Sequence, residues 1–153
     1  WRMPAKPESS FIASINRLLP LKKRRESSRA REKHPPCRHI HYEKMNNPYS
    51  SGTADGWYSG AAGDLWIEYK FLPRIPQRVS VKPRELLSDL QVEWLNERHG
   101  EGRNVAVIIG CPDGGVLLRE REWEKELCSQ AFQTLIRSRS NLAEWILEQT
   151  TTR

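Results

Sequence analysis

Five consecutive apolar residues, Val105-Ala106-Val107-Ile108-Ile109, constrain the fold of this 153-residue chain more than any other segment. A strand that alternates apolar and polar residues needs cover on one face only, whereas a strand apolar on both faces belongs in the buried interior of a sheet. The segments around the run have the periods of helices and strands in turn. Phe11, Ile12, Ile15, Leu18 and Leu19 have helical spacing behind Pro7, and Pro20 closes that helix. A short strand is expected at about 39–43, and a β-hairpin from Ala54–Tyr58 and Leu65–Phe71 around Ser59-Gly60-Ala61-Ala62-Gly63. A helix over 84–98 places Leu87, Leu90, Trp94 and Leu95 on one face; alternatively, Ser88-Asp89-Leu90-Gln91 is a capping box that starts the helix there. After the apolar run, Gly114-Gly115 turns the chain into a strand at 116–118, and two helices near 122–136 and 140–148 complete it. Helix, strands, helix, strands, helices is the order of a mixed α/β fold with a central sheet flanked by helices, expected as a single domain over 1–153.

The charge is as informative as the pattern. A net charge of +6 is concentrated in two segments. One is a basic insertion at about 21–37 containing Lys22, Lys23, Arg24 and Arg25, expected to be flexible because it lacks periodicity and ends in Pro35-Pro36. The other is an extended, proline-punctuated loop at about 72–83 that, with the residues bordering it, supplies Arg74, Arg78, Lys82 and Arg84. Clustered cations neutralise phosphates and release counterions, so nucleic acid is the expected partner. No run approaches the roughly 20 apolar residues of a membrane span, and no apolar leader opens the chain, so no membrane partner is expected and the cytoplasm of a bacterial or phage-infected cell is the expected location. Cys37, Cys111 and Cys128 are widely spaced and odd in number, as reduced thiols are. His34, Cys37, His39 and His41 lie close together but lack the paired spacing of a zinc site. Trp94, Trp123 and Trp145 suit the core; Trp57 and Trp66 suit either core or base stacking.

The chemistry is concentrated in Asp64-Leu-Trp-Ile-Glu-Tyr-Lys-Phe71. In a strand Leu65, Ile67, Tyr69 and Phe71 face one way, while Glu68 and Lys70 share the other, about 6.6 Å apart along the strand. Both then reach one bound cation and its water. Mg²⁺ usually takes one or two carboxylates, so a second acid is required. Asp64 has the parity of Glu68 but lies about 13 Å away. Asp55, on the partner strand of the hairpin, falls opposite Ile67 or Glu68 with the strands only about 4.7–4.9 Å apart.

Gly52-Thr-Ala-Asp55, a hairpin, and Glu68-Tyr69-Lys70 together resemble the signature of the PD-(D/E)XK nucleases, especially the small phage-type, VRR-NUC, Holliday-junction-resolvase-like and homing endonuclease branches. The resemblance covers about residues 45–118, including Ser88-x-x-Gln91-x-x-Trp94-Leu95; Ala54 stands where the family often has proline. It implies a restriction-endonuclease-like core and Mg²⁺-dependent hydrolysis of DNA, with Mn²⁺ able to substitute. It also implies metal ligation by Asp55, Glu68 and the main-chain carbonyl of Tyr69, with Lys70 orienting or deprotonating the attacking water. The family often adds an acid from its first helix, and Glu8 occupies that place. Gln91 is expected either to position substrate or water or to serve only in the cap. A homodimer or higher oligomer is the family expectation, since one core carries one active site. The alternatives are a nucleic-acid-binding module that keeps the fold without activity, and a nuclease directed at RNA.

Overall fold

The computed structural model describes residues 6–22, 39–45 and 52–152. Five strands form one mixed sheet in the order β1 (His41–Lys44), β2 (Gly56–Ser59), β3 (Asp64–Phe71), β4 (Val105–Cys111) and β5 (Gly114–Leu118). Neighbours pair antiparallel except at the centre, where β3 and β4 run parallel from Trp66↔Val105 to Phe71↔Gly110. A parallel pair requires a crossover. Here it carries α2 (Pro83–Leu86) and α3 (Asp89–Gly100). The remaining helices are α1 (Pro7–Asn16), α4 (Ser129–Leu135) and α5 (Arg139–Thr151).

The apolar run behaves as its composition demands, because β4 is buried along its whole length. Ala106 and Ile108 join Phe11, Ile15, Tyr58, Tyr69 and Leu142 beneath α1 and α5. Val105, Val107 and Ile109 join Val92, Leu95, Trp123 and Phe132 on the opposite face. Each large apolar side chain removed from water in this way contributes about 1.5–3 kcal/mol, which is why the two-sided strand holds the centre. Gly110 lets α1 lie directly on the sheet: a Cβ there would fall 2.6 Å from the Phe11 ring.

Several expectations shift. The capping-box reading of Ser88 holds: its side chain accepts from the Gln91 N–H while the Gln91 side chain accepts from the Ser88 N–H, and α3 begins there. The helix phase therefore differs from that of a helix over 84–98. Val92 and Leu95 are buried, whereas Leu90 is 52% exposed. The helix expected near 122–136 is broken. A 3-10 turn at Glu122–Glu124 is followed by extended chain in which Leu127 bridges Val81, and α4 restarts behind Cys128. The short strand expected at 39–43 forms at His41–Lys44, and the last helix extends to Thr151. Trp123 and Trp145 are core residues, and Trp94 packs against the core from its edge. Trp57 stacks on Trp66, which meets Trp94 edge to face. Cys111 and Cys128 are free thiols. Among the described residues no helix is long and apolar enough to cross a membrane.

Candidate active site

The site forms where three separate stretches of chain meet the carboxyl-terminal half of β3. The first is the segment entering β2. Its hairpin register pairs Gly56 with Ile67, so Asp55, one residue earlier, falls beside Glu68. The Asp55 backbone N–H donates to Glu68 Oε2 at 3.2 Å, and Asp55 Oδ2 accepts from the Tyr69 backbone N–H at 3.0 Å. In an extended strand the N–H and C=O of one residue point to the same edge. The Tyr69 carbonyl therefore faces the side on which Asp55 lies.

The second stretch is the first turn of α3. Gln91 serves in the cap, the second duty considered from sequence, and its Nε2 in addition donates to Glu68 Oε1 at 2.8 Å. Gly52 brings the first two stretches together. It adopts φ +91°, and a Cβ there would lie 2.4 Å from the Leu90 carbonyl oxygen. Only a residue without a side chain allows the approach to Asp55 to pass so close to the helix start.

The third stretch is the first turn of α1, which carries Glu8. Partial burial raises the Glu8 carboxyl above its ordinary range; Asp55 raises it further, and Lys70, Lys6 and Lys44 pull it down. Glu8 thus stands within electrostatic reach of both Asp55 and Lys70.

Glu68 is the electrostatic centre. It is 1% exposed, and burial, then the neighbouring Asp55 carboxylate, pushes its pKa up to about 9. The Lys70 amine lies 3.5 Å from Glu68 Oε1 and offsets only part of this. A buried acid crowded by a second acid, with a single close amine, is short of positive charge. Two carboxyls and a main-chain carbonyl are hard oxygen donors of the kind that Mg²⁺ takes, so the residues fit such an ion. Among the described residues no group of three or more His, Cys, Asp and Glu side chains assembles as a metal cage; His34 and Cys37 of the histidine and cysteine cluster lie outside the described residues.

Beside Asp55 opens a hollow of about 600 Å³ between α1 and β1, lined by Glu8, Asn16, Tyr42 and Lys44 among others. Tyr42 and Lys44 escaped the sequence reading. Their only signal was the two-residue parity of a four-residue strand whose partner was not yet known.

The loop following β3 carries Arg74 and Arg78 and is tied down where Gln133 donates to the Pro76 carbonyl. Lys82 lies 3.8 Å from Glu85, and Arg84 lies 3.3 Å from Glu124, so neither cation stands alone. Lys22 is held by its backbone N–H on the Ile40 carbonyl. Lys23, Arg24 and Arg25, with the rest of the basic insertion, lie outside the described residues.

Asp55 at the edge of the hollow, the buried Glu68 and the Lys70 amine beside it gather oxygen donors of the kind a hard cation takes. No family model matches the chain, and no curated protein matches it. Among solved structures the chain is similar to Hjc of Archaeoglobus fulgidus, a Holliday junction resolvase from an archaeal hyperthermophile. The TM-score is 0.45 and the identity 16%, over 68% of this chain and 88% of that one.

Proposed function

We propose that this chain is a metal-dependent DNA endonuclease of the PD-(D/E)XK type. One observation carries the proposal: Asp55, just ahead of β2, and Glu68 on β3 converge, with the Lys70 amine 3.5 Å from Glu68. Asp55, Glu68 and the Tyr69 carbonyl would hold Mg²⁺, or Mn²⁺ in its place. When bound, such an ion supplies Lewis-acid stabilisation of the charge that builds on the scissile phosphate and lowers the pKa of water. The chain's own residues do the rest. Lys70 orients the attacking water and helps take its proton, a role suited to a compact amine held beside Glu68. Gln91 fixes the Glu68 carboxyl through its 2.8 Å hydrogen bond, and Glu8 adds negative charge at the rim. Arg74, Arg78 and Lys82 on the loop after β3, with Arg84 at its end and the basic insertion, bind the phosphate backbone without reading sequence. DNA is the partner, in a cytoplasmic setting. Two copies of the chain, acting as a homodimer or within a larger homo-oligomer, cut both strands.

The test is incubation with plasmid, linear and four-way-junction DNA, in Mg²⁺ and in EDTA, comparing wild type with Lys70→Ala. The expected result is cutting by the wild type in Mg²⁺ only, reduced about 10²–10⁴-fold in the variant. DNA binding without cutting of any substrate would replace the proposal with a nucleic-acid-binding module on the same fold.

A further inference from the structure

The hollow beside Asp55 is more than the site needs in order to hold a phosphate. Its volume of about 600 Å³ falls within the range of pockets that enclose a small organic ligand. One wall is a single helical face of α1, where Ser9, Ile12, Ala13 and Asn16 follow one another at the spacing of a helix turn. The other wall is Tyr42 and Lys44, two residues apart on β1 and so on one face of the strand.

The wall is pre-organised. Tyr42 packs against Tyr58 with ring centroids 4.9 Å apart, and Asn16 lines the hollow with it. Asn16 Oδ1 accepts from the Tyr58 hydroxyl at 2.8 Å, and that hydroxyl shares a 2.7 Å hydrogen bond with the buried Tyr69 hydroxyl. Asn16 is thus held in place by a hydroxyl chain rooted in β3, and Tyr42 by its packing on Tyr58. The exposed amines of Lys6 and Lys44 stand at the rim, and Asp55 lies at one end.

We infer that this hollow receives one unpaired nucleotide of the DNA strand, adjoining the phosphate held at Asp55. This inference rests on the nuclease reading of the site. The aromatic wall at Tyr42 with the apolar side chains of Ile12 and Ala13 accepts a base, the amide of Asn16 meets its polar edge, and Lys44 and Lys6 pair with its phosphates. Flanked on both sides, the hollow takes a base that has left its stack, which is least costly where the base is already unpaired. The substrate class is therefore DNA with an unpaired nucleotide at the point of cleavage, and Asn16, Tyr42 and Lys44 determine specificity.

The experiment uses two fluorescein-labelled DNA hairpins of one sequence, one fully paired and one with a single bulged nucleotide in the stem. Binding is followed by anisotropy in EDTA, and cleavage is mapped in Mg²⁺. Wild type is expected to bind the bulged hairpin at least about tenfold more tightly, the lower part of the range that stacking a base on an aromatic side chain provides. Cleavage should fall beside the bulge. Ala13→Trp, which fills the hollow from the exposed face of α1, and Lys44→Gln, on an exposed strand position, should each bring the preference to within about twofold. Circular dichroism confirms that each variant is folded. Equal binding of the two hairpins by wild type, or a preference that survives both substitutions, overturns the inference. Equal cutting of both hairpins sinks the hollow and leaves the nuclease, whereas preferential binding without cutting sinks the nuclease and leaves the hollow.

Discussion

The two halves of β3 each carry an acid, and they differ in almost everything else. Asp64, at the hairpin end, is exposed and accepts a 2.6 Å hydrogen bond from the Ser59 hydroxyl. Glu68, one helical turn's worth of sequence later, is buried, receives the Asp55 N–H and the Gln91 amide, and lies beside Lys70. The first acid is solvated by water, the second by the protein. The difference comes from the neighbours rather than from the strand: the hairpin end faces solvent, while the other half is closed by the segment entering β2 and the first turn of α3. A carboxyl enclosed in this way holds its proton far above the ordinary range unless a cation arrives.

The comparison can be broken most severely through activity. Glu68→Ala and Asp55→Ala should each reduce Mg²⁺-dependent cutting by at least about 10²-fold, and Asp64→Ala should leave it within about twofold, measured as initial rates on one plasmid. Similar losses from all three would mean that the two halves are not distinct.

A second measurement sharpens it through pH. Burial, and then the Asp55 carboxylate, push the Glu68 carboxyl up to about 9 from an ordinary 4.5. Below the ordinary value the group is protonated in both the folded and the unfolded chain, and above about 9 it is ionised in both. Between those limits the folded chain holds a proton that the unfolded chain has given up, so stability falls as pH rises, by at most about 1.4 kcal/mol per unit for this one group. Thermal unfolding in EDTA at pH 5.5 and 8.5 should show this loss in wild type and less of it in Glu68→Gln. Asp64→Asn should keep the wild-type slope.

The smallest effect separates the two serines. Ser88→Ala removes the cap that holds Gln91 and should cost about 1 kcal/mol of stability, with a modest fall in cutting. Ser59→Ala, at the solvated end, should stay within about 0.5 kcal/mol by chemical denaturation.

Much of this was legible in the residues. The convergence of Asp55 on Glu68 follows from counting back from a turn centred near residue 61, because strand pairing converts sequence position directly into spatial position. The mixed sheet follows from a run that only a two-sided strand can accommodate. What escaped depends on partners distant in sequence. Glu68 reads as a residue on a polar face, and nothing near it in sequence announces that Gln91 and the Asp55 backbone will close over it. Leu90 carries a core-like side chain, yet the cap at Ser88 sets the helix phase and turns it outward. Leu127 fits a helical pattern, but its backbone is claimed by Val81, 46 residues earlier in the chain. Local periodicity gives way where a backbone hydrogen bond to a remote segment is available.

The single parallel pairing at the centre of the sheet also determines when the site comes into being. β3 cannot acquire β4 until the intervening crossover has been laid down, and that same crossover delivers Gln91 to Glu68. Closing so long a loop is an expensive, late event in folding. A chain still emerging from synthesis therefore holds Asp55, Glu68 and Lys70 without the helix that aligns them. Assembly of this cluster and completion of the fold arrive together, and on the nuclease proposal a half-made copy cuts nothing.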